Sequence, residues 1–281
     1  MSSRFPKAAL LLIAPMLAGA QARPVLRVCA DPNNLPFSNQ RQEGFENRIA
    51  EVMARDLGAK LEYTWWSERK SFLKNSLDAG KCDAVMGVPA MLDSVAVTRP
   101  YYRSTYVFVT RRDRKLSVTS LDDPRMEQWR IGIHVLDDDY APPAHALARR
   151  GLGKNIVGYS MFGAYGEENP PARIIDAVAR GDIDLAIVWG PFAGYFAKQE
   201  KTALDIQPVS PTMFLAVPFT YDISIGVRKG DEALRAALDR ALSRNCAAVR
   251  SILADYGVPL AASGEGETLC AASPQSPASS H

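Results

Sequence analysis

Three clusters of residues carry side chains able to bind a guest. ADPNNLPFSN, Ala30 to Asn39, follows the apolar run Val25 to Cys29 and gathers Asp31, Asn33, Asn34 and Phe37. Asp and Asn shape turns by bonding nearby backbone groups, while a phenylalanine ring offers a flat apolar face. Trp66, Tyr102 and Trp189 flank extended runs. Side chains alternate along a strand, so only one of Trp65 and Trp66 can face a given side, and Trp66 is taken as that residue. Asp137, Asp138 and Asp139 stand just ahead of a predicted helix. They suit either helix capping or a hard cation such as calcium, but adjacent acids rarely converge without further ligands, so no metal is expected.

The sequence contains no G-x-S-x-G elbow, no H-E-x-x-H, no phosphate loop and no dinucleotide fingerprint. His134 sits inside the apolar run RIGIHV, as a core histidine would. Glu68 and Asp93 are the acids a catalytic reading would have to use, and nothing around them in the sequence distinguishes them. The chain is therefore expected to be non-catalytic and to carry no cofactor.

The elements that must position these residues alternate short apolar runs with amphipathic stretches, the pattern of an α/β fold. LRVCA is followed by GFENRIAEVMARDLG, where Phe45, Ile49, Val52, Met53 and Leu57 fall at helical spacing and Gly58 supplies the stop. KLEYTWW predicts a second strand, RKSFLKNSLDAG a second helix and CDAVMGV a third strand, apolar on both faces as in a buried parallel sheet. The pattern restarts with RIGIHV, a helix near 142–150, NIVGYSM, the helix PARIIDAVARG and the strand DLAIVWG. LDAGKCDAVMGV and VARGDIDLAIVWG echo each other, which points to two similar lobes. STYVFVTRR and FLAVPFTYDISIGVRKG can carry the chain between them. The last helical region puts Leu234, Leu238, Leu242, Cys246, Val249 and Leu253 on one stripe.

MSSRFPKAALLLIAPMLAGAQA reads as a secretory leader: two cations, an apolar run and Ala20-Gln21-Ala22, with cleavage expected after Ala22 and an exported mature chain. Its apolar run falls short of the roughly 20 residues a spanning helix needs, so no membrane insertion is expected. Of 33 basic residues, the leader takes Arg4 and Lys7, and the remainder equals the 31 acidic ones. A neutral mature chain argues against nucleic acid as a partner. Cys29, Cys82, Cys246 and Cys270 allow three disulfide connectivities in an oxidising compartment. Adjacent predicted strands favour Cys29 with Cys82, which leaves Cys246 for Cys270.

An exported chain of this organisation resembles the periplasmic solute-binding proteins of the amino-acid type (bacterial extracellular solute-binding protein family 3) over most of residues 25–260. The likeness is carried by TRPYY at Thr98 to Tyr102 and by ISIGVRKGDEALRAAL, and RVCADPNNLPFSNQRQEGFENRIAEVMARDLG is similar to the J-type accessory proteins (MxaJ and XoxJ) of periplasmic quinoprotein methanol dehydrogenases. The resemblance implies a bilobal type II fold with two mostly parallel sheets flanked by helices and joined by two hinge strands. Lobe 1 is expected to comprise 23–109 and 217–260, lobe 2 to comprise 110–216, and 261–281 to be a disordered tail. It also implies a monomer whose partner is a quinoprotein methanol dehydrogenase of the XoxF or MxaF type, with the cleft residues Asp31, Asn33, Asn34, Phe37, Trp66, Tyr102, Asp137 and Trp189. Two departures bear on the guest. Amino-acid binders carry an arginine before the Pro-Tyr junction and often an aspartate after the strand equivalent to DLAIV; here stand GVPAMLDSVAV and Trp189-Gly190. An aromatic crevice without those anchors suits a flat aromatic guest or a partner's loop better than a free amino acid. The alternative is a conventional transporter-linked binding protein for a small solute that is not an amino acid.

Overall fold

The computed structural model describes residues 23–137, 139–163 and 167–262. The expected leader and most of the expected tail, Cys270 included, lie outside the described residues. So does Asp138.

The chain opens with strand β1 (Val25–Ala30) and, after the 31–39 loop, helix α1 (Phe45–Asp56). Strands β2 (Lys60–Trp65) and β3 (Ala84–Pro89) follow. β1 lies parallel between them, with Val28 opposite both Tyr63 and Ala84. The stripe Phe45, Ile49 and Met53 buries α1 against Leu26, Val28 and Ala84. Leu57 caps the helix and Gly58 turns the chain away, as the spacing predicts. The predicted second helix is only one turn, Phe72–Asn75. There the Ser76 hydroxyl donates to the Phe72 carbonyl (2.6 Å), a local bond that competes with helix continuation.

Strand β4 (Tyr102–Arg111) leads to the second half, where β5 (Ile131–Leu136), helix α2 (Pro143–Arg149), β6 (Ile156–Ser160), helix α3 (Arg173–Arg180) and β7 (Leu185–Trp189) repeat the pattern. β5 runs parallel between β6 and β7. Helix α4 (Gly190–Ala197) and strand β8 (Leu204–Pro208) come next, then the return strand β9 (Thr220–Val227). Helices α5 (Glu232–Arg244) and α6 (Cys246–Asp255) close the described chain. The sequence stripe reads as one helical region, but it breaks at Asn245, whose amide donates to Asp56 Oδ1 (2.8 Å) on α1. Leu238, Leu242, Val249 and Leu253 are buried in the same cluster as α1, so the C-terminal helices pack on the first half.

Two strands pass between the halves. β4 pairs through Tyr102–Thr105 with β9, and through its later residues with β7 and β8, all antiparallel. β9 continues past Ile223 along β3. Arg103 and Asp222 face each other on this pair in a two-pronged contact, Nε to Oδ1 2.6 Å and Nη2 to Oδ2 2.7 Å, and the Thr220 hydroxyl donates to that of Thr105 at 3.0 Å.

Cys29 and Cys82 form a disulfide that ties β1 to the approach of β3. Phe72, Leu77 and Val85 bury it. Cys246 is disulfide-bonded as well. The backbone N–H of Ala261 donates to the Arg103 carbonyl (3.0 Å), so ordered chain extends past the expected boundary at 260.

Candidate functional site

The loop from Asp31 to Asn39 is held by its own polar groups. The buried Asp31 carboxylate accepts the N–H groups of Asn33 (2.8 Å) and Glu68 (2.7 Å), and the Ser38 hydroxyl donates to the Asp31 carbonyl (2.8 Å). Asp31 thus builds the turn rather than meeting a guest. At the far end, Asn47 Oδ1 accepts from Asn39 N (3.2 Å) and from Gly44 N (3.1 Å), which fixes the loop to the first turn of α1.

So braced, the loop reaches across the crevice. Leu35 is buried among Val107, Val109, Ile174 and Phe192, in the core of the second half. Phe37 packs between Phe45 of α1 (centroids 5.1 Å) and Phe192 of α4 (5.0 Å). The Asn33 amide donates to the Glu167 carbonyl (2.7 Å) and accepts from Asn169 N (3.2 Å). Arg41 reaches Glu168 (3.2 Å), and Arg69 meets Asp137 (2.6 Å) while lying 4.3 Å from the Phe162 ring centroid. The two halves are therefore in direct contact through apolar, hydrogen-bonded and ionic groups.

Between them lie a polar pocket of about 290 Å³, lined by Asn33, Asn39 and Arg41 against Glu167, Glu168 and Asn169, and a deeper cavity of about 160 Å³. Asn34, Phe37, Tyr102 and Trp189 of the expected set line the deeper cavity. Glu46, Glu68, Met86, Met161, Phe192 and Ile223 complete its wall, with Gly87. A space of that size admits a small molecule, and a partner's loop enters only if the halves separate.

Two carboxyl groups dominate the cavity. Glu46 is buried at the start of α1, and its Oε1 accepts the Tyr101 hydroxyl at 3.4 Å. Its Oε2 has no hydrogen-bond partner among the described residues. Burial, then the charge of Glu68, pushes the Glu46 carboxyl well above the usual carboxylate range. Glu68 is half-buried with its carboxyl toward the cavity, where Asn34 Nδ2 donates to it at 3.1 Å. Desolvation, then the Asp31 charge, pushes it up to about 7. Gly87, at φ +73°, makes room for Glu46, because a Cβ there would lie 2.2 Å from Oε1. Burial, then the charge of Glu46, pushes the Tyr102 hydroxyl well above its usual range, and Trp189 packs against Tyr106 and Tyr221. Among the described residues, no Lys, Arg or His lines the cavity.

Trp66 is not part of this wall. β2 ends at Trp65, which stacks on Tyr63 (4.6 Å), and Trp66 turns outward under the Lys81 ammonium (3.9 Å). Asp137 lies outside the cavity too, held by Arg69 and by the Lys70 N–H (3.3 Å). The capping role expected of the Asp137–Asp139 run is absent among its described members: Pro142 precedes α2 without a side-chain cap, and Asp139 accepts from the adjacent Tyr140 N (2.7 Å). His134 is buried, donates from Nε2 to the Pro171 carbonyl (3.2 Å), and is driven down to about 4 by desolvation. It is the core histidine the sequence predicts. A larger groove of about 570 Å³, lined by Arg103, Asp222, Met213, Pro218 and Leu260 among others, shares no residue with the interlobe cavity.

Glu46, Met86, Gly87, Met161, Phe192 and Ile223 are the wall residues sequence reasoning missed, and Glu68 entered it only as an acid for a catalytic reading. Glu46 reads as an ordinary polar position of an amphipathic helix, and its signal was Gly87 in a strand otherwise built of large apolar residues.

Comparison with known proteins fits this geometry. The sequence model of the bacterial extracellular solute-binding proteins, family 3, matches residues 26–248. Protein MoxJ of Paracoccus denitrificans is 31% identical over 265 residues, covering 90% of this chain and 94% of that protein. The crystal structure of the periplasmic binding protein XoxJ from Methylobacterium extorquens AM1 superposes with a TM-score of 0.70 at 34% identity, over 85% of this chain and all of the other (100%). That of MxaJ from Methlophaga aminisulfidivorans MPT gives 0.74 at 26% identity, over 84% and 100%. The bilobal α/β fold is that of periplasmic binding proteins. With its two halves, paired crossing strands and enclosed crevice, this chain belongs to the bacterial extracellular solute-binding proteins of family 3 and is of the MxaJ/XoxJ type.

Proposed function

We propose that this chain is a non-catalytic periplasmic accessory protein of a quinoprotein methanol dehydrogenase system, one that binds the dehydrogenase or its immature form and supports its activation. The observation that carries it is the composition of the crevice: two acids, aromatic rings and no cation line the cavity, so the carboxylate of a free amino acid has no partner there. Similarity to MoxJ and XoxJ along nearly the whole chain supports the dehydrogenase system as the setting. The lobes of the proposal are 23–109 with 217–260, and 110–216. As a clamp, the protein would open by breaking the Arg69–Asp137, Arg41–Glu168 and Asn33 contacts and withdrawing Leu35 and Phe37, which exposes an apolar surface for the partner.

The test is co-purification of the exported chain with the quinoprotein dehydrogenase, paired with dehydrogenase activity in a deletion strain. Association and reduced activity are the expected results. A deletion strain with full activity, together with no association, would discard the proposal.

A further inference from the structure

The cavity between the halves is lined by the chain's own groups, and its interior is chemically unbalanced. Glu46 is 5% exposed and lines this space, and only one of its carboxyl oxygens is engaged, at the long distance of 3.4 Å. Glu68 faces the same space and is near enough for its charge to oppose ionisation of Glu46. Around the two acids stand Phe37, Tyr102, Trp189 and Phe192. Aromatic rings attract cations through their electron-rich faces, and quaternary or methylated ammonium groups are the ligands such cages select.

We propose that this cavity is a binding site for a small organic ammonium cation without a carboxylate of its own, held between Glu46 and Glu68 and walled by the surrounding aromatic side chains. Other ligand classes fit less well. An anion would find no Lys, Arg or His among the lining residues. A calcium-like cation takes about six to eight oxygen ligands, and a wall of rings and the Met86 and Met161 thioethers cannot supply them. A neutral apolar guest would leave the free oxygen of Glu46 without a hydrogen-bond partner. The volume, about 160 Å³, has room for a methylated ammonium ion. This inference goes beyond the dehydrogenase role and does not depend on it.

Binding should ionise the acids. Glu46 and Glu68 face Asp31, Asn34, Tyr101 and Tyr102, none of them a cation, so the ligand itself provides the counter-charge.

The experiment is titration calorimetry of the purified exported protein with trimethylammonium chloride and methylammonium chloride. tert-Butanol serves as the neutral shape match for trimethylammonium, and sodium chloride as the salt control. Saturable uptake of at least one ammonium salt is expected, with tert-butanol at least about tenfold weaker. Glu46→Gln and Glu68→Gln should each weaken uptake about tenfold or more, with the far-ultraviolet circular dichroism of the parent retained. If Glu46→Gln does not fold, Glu68→Gln and Trp189→Leu carry the test. No saturable heat with either ammonium salt, equal uptake of tert-butanol, or unchanged affinity in the folded variants would overturn the proposal.

Discussion

Arg69 and Asp137 meet across the crevice, Nη1 to Oδ1 at 2.6 Å, one from the segment after β2 and the other from the end of β5. The arginine also covers the Phe162 ring. It is the ionic latch of the closed arrangement, yet its side chain is 53% exposed.

An exposed pair of this kind contributes about 0–1 kcal/mol. Arg69→Ala is therefore expected to change urea-unfolding stability by less than about 1 kcal/mol while broadening the distance distribution between spin labels placed on the two halves. A narrow, unchanged distribution would show that the latch does not govern closure.

Phe37 and Leu35 do the larger share of the holding, because they bury apolar surface in the opposite half. Leu35→Ala should cost about 2–4 kcal/mol, with Phe37→Ala similar since its ring is half-buried. Equilibrium urea denaturation measures both, and losses under about 0.5 kcal/mol would show that the loop is not packed as described.

Glu68 sets a pH dependence. Its carboxyl is raised from 4.5 to about 7 by folding, so the folded state holds a proton the unfolded state has released. That contribution is complete below about 4.5 and is lost as pH rises through about 7. A shift of this size corresponds to about 3 kcal/mol, and solvent near the half-exposed residue reduces it to about 1–2 kcal/mol. Glu46 acts in the same direction. His134 opposes it, since a histidine lowered from 6.5 to about 4 costs stability as pH falls through that window. The clean measurement is thus the difference between parent and Glu68→Gln: the variant's stability relative to the parent should rise from pH 5 to pH 8.

The Cys29–Cys82 disulfide closes a loop with a sequence separation of 53. Replacing both cysteines by alanine should lower stability by about 2–4 kcal/mol, read as a lower thermal midpoint. An unchanged midpoint would count against a stabilising role.

Much of this molecule was legible because hydrophobic period is local. The five runs that become β1, β2, β3, β5 and β7, the stripe of α1 and the Cys29–Cys82 pairing all follow from residues near one another in sequence or on neighbouring strands. The cavity was only half legible. Asn34, Phe37, Tyr102 and Trp189 sit at strand ends, where position alone predicts exposure to the crevice. Glu46 does not, because its burial depends on Gly87 from a strand 41 positions later leaving space for it. Trp66 failed for a related reason: the strand stops one residue earlier, so alternation no longer decides where the indole points. Asp137 was expected to meet a guest, and its partner turned out to be an arginine of the other half, a pairing no local pattern encodes.

The paired crossing strands have a mechanical consequence. Because β4 and β9 are hydrogen-bonded side by side and riveted by Arg103–Asp222 and Thr105–Thr220, they form a ribbon rather than two separate cords. A ribbon bends readily across its thin dimension and resists shear between its edges, like a leaf spring. Any swing of one half relative to the other would thereby be steered toward a single arc.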